Sequence, residues 1–281
     1  MSRYQNNLYK GVIAGAIATA STLGLASMAQ AATLRITIDS LAPTNGIALT
    51  PTWFGFHDGT FDLYNRGEAA TIGLERLAED GTIDDLNAEF LAAGGGTVQG
   101  AIFGPTVPPI LPGESASITL DVDANALSSR YFSYAAMVLP SNDFFIANGN
   151  PLAARIFDDA GNFLGADFTV TGSQVLDAGT EVNDEEPANT AFFGQQTPNT
   201  GITEGGVVQL ASDFGGFIPG GPILSTPRFA NADFTAPGYN VARFRVELVE
   251  QATDVPEPGI VLALLATGGL MVGRRRQQQT E

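Results

Sequence analysis

Leu34-Arg35-Ile36-Thr37-Ile38 near one end of the chain, and the stretch from Ala242 to Leu248 near the other, alternate apolar and polar residues with a period of two. That period sets every second side chain on one face, so both segments are expected to be half-buried β-strands. Residues 117–122 and 131–139 read as further strands. Residues 153–157 and 162–170 flank the turn-forming Asp158-Asp159-Ala160-Gly161, which predicts a hairpin. Helix-forming residues at 68–79 and 84–93, with Thr82 as an N-cap and Asp85 at the acidic third position, predict two short helices on a connection between strands. Residues 185–237 are rich in Gly, Pro, Asn and Thr, which predicts long loops interrupted by a brief strand at Val207-Val208-Gln209-Leu210. No repeat recurs at a period of roughly 20 to 50 residues, which argues against a solenoid or propeller. The expectation is an all-β domain.

Cysteine is absent from the 281 residues, so stability must come from a hydrophobic core or a bound metal. Hydrophobic residues at 44% against charged residues at 15%, with 33 glycines and 16 prolines, suit a folded, turn-rich β domain rather than a disordered chain.

Both ends carry addresses. Arg3 and Lys10 precede an apolar stretch over residues 11–28, and Ala29-Gln30-Ala31 has the small-x-small pattern of a signal-peptidase site, predicting cleavage after Ala31. At the other end, Val255-Pro256-Glu257-Pro258-Gly259 leads into an apolar run over residues 260–272 and then Arg274-Arg275-Arg276. As a helix, the span from Gly259 to Gly273 would reach about 22 Å at ~1.5 Å per residue, short of the ~30 Å hydrocarbon core, with the arginines held on the cytoplasmic side. A plain tail anchor shares the apolar run and the arginines; Pro-Glu-Pro just before them is the distinguishing mark. The order of the three parts resembles the PEP-CTERM sorting signal of Gram-negative bacteria. That resemblance implies an exosortase-type sorting enzyme acting on Pro256, Glu257, Pro258 and the Arg274, Arg275, Arg276 cluster. It also implies transient membrane association through the C-terminal helix and delivery to the cell surface or extracellular matrix. The expected organisation is a signal peptide at 1–31, one domain at 32–254 and a sorting tail at 255–281.

Residues 32–254 hold eight arginines against 28 acidic residues, a net charge near -20 compared with -17 for the whole chain. Nucleic acid and anionic membrane surfaces are poor partners for such a domain.

Two acidic loops stand out, each following a strand: Pro140-Ser141-Asn142-Asp143-Phe144-Phe145 and Asp177-Ala178-Gly179-Thr180-Glu181. Carboxylates on adjacent loops suit a hard divalent cation such as calcium, which takes ~6–8 oxygen ligands. Gly179 would let Asp177 and Glu181 bend toward one point. From spacing alone, aspartates that cap loops through backbone amides are the favoured reading, and the resemblance below turns the balance toward metal. Residues 135–145, Ala-Ala-Met-Val-Leu-Pro-Ser-Asn-Asp-Phe-Phe, resemble the Met-x-x-Pro-Ser-Pro-Asp-Trp-Phe signature of the spondin N-terminal domain, and residues 177–181 resemble its Asp-Ala-Gly-Thr-Asp motif. Thr44-Asn45 through Pro51, Phe54, Phe56 and His57-Asp58 resemble the family's early segment. The resemblance implies an antiparallel, C2-like β-sandwich with calcium held by Asp143, Asp177 and Glu181. Asn142, Phe144 and Glu181 depart from the family's proline, tryptophan and aspartate.

Other candidates are weaker. Asp121-Val122-Asp123-Ala124-Asn125 opens like an EF-hand loop, but Ala126 and Phe132 occupy the glycine and glutamate positions, so a turn is expected. Asn183-Asp184-Glu185-Glu186 reads as a solvated acidic loop that could extend the metal site. His57 is the only histidine, and no Gly-x-Ser-x-Gly or His-Glu-x-x-His motif occurs, so His57 is expected to be structural and the protein non-enzymatic. Gly94-Gly95-Gly96 lacks a following Lys-Ser or Lys-Thr and reads as a turn. Trp53, Phe54, Phe56 and Phe61 are expected in the core, with a sugar-stacking platform as the alternative.

The leading expectation is an exported calcium-binding, spondin-like adhesion or matrix-associated protein, with extracellular polysaccharide or a surface protein as partner. A surface polysaccharide hydrolase built on two carboxylates and a metal-independent carbohydrate-binding module are the alternatives.

Overall fold

The computed structural model describes residues 30–106, 108–211 and 223–251. The expected signal peptide before Gln30, and the sorting segment with Pro256 to Pro258 and Arg274 to Arg276, lie outside the described residues. Among the described residues no helix is long and apolar enough to cross a membrane.

The elements in chain order are β1 (Ala31–Ser40), β2 (Ala48–Leu49), β3 (Thr52–His57), α1 (Ile72–Asp80), α2 (Asp84–Ala93), β4 (Gly96–Ile102), β5 (Ser115–Asp123), β6 (Tyr131–Leu139), β7 (Phe144–Ala147), β8 (Ala166–Thr171), β9 (Leu176–Asp177), β10 (Gln209–Leu210) and β11 (Asn240–Gln251). They form two sheets, β5-β1-β11-β8 and β10-β9-β7-β6-β3-β4, with β2 paired to β6. Every strand pairing is antiparallel. The fold is therefore an all-β, two-sheet sandwich, with both α-helices of the described residues on the β3–β4 connection.

The alternation at the two ends of the domain becomes a single ladder, with Ile36 opposite Val246 and Ile38 opposite Phe244. Leu34, Ile36 and Ile38 pack inward with Phe244 and Val246 against Phe54, Phe56, Phe132 and Ile146 of the larger sheet. The larger sheet also has its outer face covered. There Trp53, Ala135 and Phe145 pack with Leu74, Leu77, Leu86 and Phe90 of the two helices. A Cβ at Gly55 would lie 2.7 Å from the Trp53 ring and 2.8 Å from the Phe90 ring, so glycine is what lets α2 settle on β3. Trp53 Nε1 donates to Asn87 Oδ1 of α2 at 3.0 Å, satisfying its one buried donor.

Three local expectations are corrected. The hairpin around Asp158 closes its turn, with Asp158 Oδ1 accepting from the amides of Ala160 and Asn162, but its arms share only a Phe157–Phe163 bridge. β8 instead pairs with β11, because Phe168 stacks on Phe244 at 5.4 Å. The first helix begins at Ile72 rather than 68, because Gly67 and Glu68 bond through their backbones to Val208, and Thr71 provides the cap by accepting from the Leu74 amide. Thr82 is not an N-cap: its hydroxyl donates to the Arg76 carbonyl and Ile83 stands at the cap of α2 without a side-chain bond.

Candidate carboxylate site

The chain leaves β6 across a cis Leu139–Pro140 bond and turns into β7 within four residues. Ser141 sets that turn: its hydroxyl donates to the Val138 carbonyl at 2.6 Å and accepts from the Phe144 amide at 3.0 Å. Asn142 and Asp143, between them, are fully buried. Asn142 Nδ2 donates to the Val182 carbonyl at 2.7 Å, tying this loop to the next acidic segment.

That segment arrives beside it because β9 pairs with β7, placing Asp177 opposite Phe144. Gly179, with φ at +66°, turns the chain, and a Cβ there would lie 2.7 Å from the Val207 backbone. Glycine is thus required both by the left-handed backbone and by the close approach. The turn presents the Thr180 and Glu181 amides to Asp143, whose Oδ2 accepts both, at 3.0 and 3.2 Å. Asp177 Oδ1 accepts from the Gly179 amide at 2.7 Å, and its Oδ2 from Asn183 Nδ2 at 3.0 Å. Gly201 closes one side, since a Cβ there would collide with the Glu181 carboxylate.

Of the three carboxylates read from the sequence, Asp143 thus neighbours both Asp177 and Glu181, and all three are buried. Glu79 and Asp80, which the sequence reading does not single out, join them from the C-terminal end of α1 and are also buried. Arg76 is their counter-charge, 3.3 Å from Glu79 and 3.9 Å from Asp80. Asp80 Oδ1 accepts from Gln195 Nε2 and the Asn199 amide, which draws the long loop of residues 190–200 onto the helix. Asn183 belongs to the site, whereas Glu185 turns away to accept from the Ile223 and Leu224 amides.

Crowding of like charge out of water shows in the acidities. Burial, and after it the Asp177 charge, raises the Asp143 carboxyl well above the ordinary carboxylate range. Burial pushes Glu181 up to about 8, with Glu79, Asp143, Asp80 and Asp184 adding to it. Burial likewise pushes Glu79 up to about 7. Several buried oxygens here have no hydrogen-bond partner among the described residues: Asn142 Oδ1, Asp143 Oδ1, Glu181 Oε2, Asn183 Oδ1 and Asp80 Oδ2. Thr180 Oγ1 sits beside Glu79 but outside hydrogen-bond geometry. Buried polar atoms are ordinarily paired, so this concentration of lone acceptors is the local signature of a positive partner. The donor set, oxygen only and carboxylate-rich, fits a hard cation such as calcium rather than zinc. Among the described residues no three His, Cys, Asp or Glu side chains converge as a ready-made metal group. Side-chain amide and hydroxyl oxygens would have to complete any coordination shell.

The remaining candidates resolve differently. His57 is buried in β3, with Nε2 2.9 Å from Ser133 Oγ and Nδ1 accepting from the Gly59 amide at 3.0 Å, so both ring nitrogens are used within the fold. Trp53, Phe54, Phe56 and Phe61 are core side chains and offer no surface platform. Asp123 ends β5 as a turn residue, accepting from the amides of Gln30 and Asn125.

Comparison of the chain with protein-family models and with curated proteins finds no match.

Proposed function

We propose that this is an exported, non-enzymatic β-sandwich that binds calcium between the β6–β7 and β9 loops and is sorted by its C-terminal segment to the cell surface or extracellular matrix, serving there in adhesion or matrix organisation. The observation that carries the reading is the set of partnerless buried oxygens gathered around Asp143 and Glu181. Asn142, Asp143, Asp177, Thr180, Glu181 and Asn183 are the residues that would hold the ion. Calcium there supplies positive charge that offsets the mutual repulsion of buried carboxylates. The chain's part is to fix the loops: the Ser141 turn, the Gly179 bend and the amides of Thr180 and Glu181 hold Asp143 in place. Full burial of Asp143, which leaves no face for a polysaccharide chain, supports a binding role over a hydrolytic one.

Calorimetric titration tests the proposal. The protein should take up calcium saturably in the range of extracellular modules, ~10⁻⁴–10⁻³ M, and Asp177→Asn should weaken uptake about tenfold or more. No saturable heat with calcium would overturn the metal site.

A further inference from the structure

Where the sheets part at the β8 edge they leave a cavity of about 470 Å³, within the ~300–1,000 Å³ typical of small-molecule sites. It is lined by Tyr64, Arg66, Tyr134, Asn150, Phe168 and Gln174, among others, and no carboxylate is on its wall, although the chain has 30 acidic residues.

The groups left uncommitted on that wall are nearly all donors. Asn150 Oδ1 accepts from the Leu152 amide and Gln174 Oε1 from the Thr171 amide, each at 2.9–3.0 Å. These bonds fix the carboxamides with their oxygens on the backbone and leave the NH₂ ends unused. Arg66 is exposed and makes no ion pair, whereas Arg76, Arg130, Arg155, Arg243 and Arg245 each pair with a carboxylate. The hydroxyls of Tyr134 and Tyr64 make no hydrogen bond among the described residues and are not among the buried partnerless atoms, so both can reach the cavity. Phe168, partly exposed and 5.5 Å from the Tyr134 ring at a tilt of 34°, supplies the apolar wall beside these donors.

An apolar wall next to hydrogen-bond donors and one free guanidinium matches a ring that has an apolar face, a rim of oxygen acceptors and an anionic end. We infer that this cavity is a binding site for a saccharide unit bearing a carboxylate, a hexuronate, with the sugar face on the partly exposed Phe168, the Tyr134 hydroxyl at its rim and the carboxylate at Arg66. The inference stands on the cavity alone and does not rest on calcium at the neighbouring loops.

The test is calorimetric titration of the purified protein with a short galacturonate oligomer and with the neutral galactose oligomer of equal length, at low salt and in chelator so that cation bridging contributes nothing. The acidic sugar should bind at least about tenfold more tightly, the preference expected of one charge-assisted contact. Arg66→Gln should erase that preference, and Tyr134→Phe should weaken both sugars several-fold. Neither change removes a contact made within the protein, so melting temperatures should stay at the wild-type value and separate lost binding from lost fold. Equal affinity for the two oligomers, no binding of the acidic one at millimolar concentration, or wild-type affinity in Arg66→Gln would each overturn the assignment.

Discussion

Replacing Asp143 by asparagine should make the protein more stable without calcium and less responsive to it. Asp143 is fully buried, its Oδ2 accepts two backbone amides, and its Oδ1 faces no donor. In Asp143→Asn the side-chain carbonyl can keep both amides, while the NH₂ group replaces the lone oxygen and offers protons to the acceptors around it. An unsatisfied buried polar atom costs ~1–3 kcal/mol. At ~2–4 °C per kcal/mol for a domain of ~150–250 residues, the variant in chelator should melt roughly 2–12 °C above wild type. Calcium at one hundred times its dissociation constant would add about 2.7 kcal/mol to wild type, or roughly 5–11 °C, and little to the variant. The gap between the two melting temperatures should therefore close or reverse between chelator and saturating calcium, as followed by circular dichroism. If Asp143 serves instead as a loop cap whose charge strengthens its two amide bonds, the variant will be the less stable in both conditions, and the reasoning from lone oxygens fails.

Acid should weaken the fold through His57. Its imidazole, buried and held down to about 4, takes up a proton less readily than in the unfolded chain at about 6.5. The unfolded state therefore binds more protons between those values, and the stability His57 contributes is present above pH 6.5 and lost as pH falls toward 4. In urea unfolding, the advantage of wild type over His57→Gln should shrink by up to about 2 kcal/mol between pH 7.5 and pH 5; an advantage that holds constant would refute the assignment. Gly55→Ala should cost about 1–3 kcal/mol by overpacking the contact between Trp53 and Phe90, read as a lowered urea midpoint with an unchanged slope; a neutral result would mean that α2 is free to shift.

Strands that face core on one side and solvent on the other, β1, β5 and β11, were legible from their period, and β6, buried on both faces, from its apolar run. β3 and β7 were not, because helices cover the outer face of the larger sheet and a strand buried on both faces, such as Thr-Trp-Phe-Gly-Phe-His, has no polar alternation to read. β4 was hidden by its glycines, which by propensity argue against a strand. In the site, local motifs marked Asp143, Asp177 and Glu181, and the β7–β9 pairing is what unites them. Glu79 and Asp80 come from a helix remote in sequence. One signal did point to them: two carboxylates in the last turn of α1, with no basic residue there, oppose the helix dipole, and a broken local rule often marks a site.

The pairing of β1 with β11 also governs when this protein can fold. Ala32 lies opposite Gln251, and β1 and β11 are the two central strands of the smaller sheet. A chain emerging from its N-terminus makes the first of these strands early and the second last, so the smaller sheet cannot close until nearly the whole domain has appeared. Ladders this remote in sequence form slowly. The arrangement sets the two ends of the finished domain side by side, so that whatever holds the C-terminal end also fixes where the N-terminal end emerges.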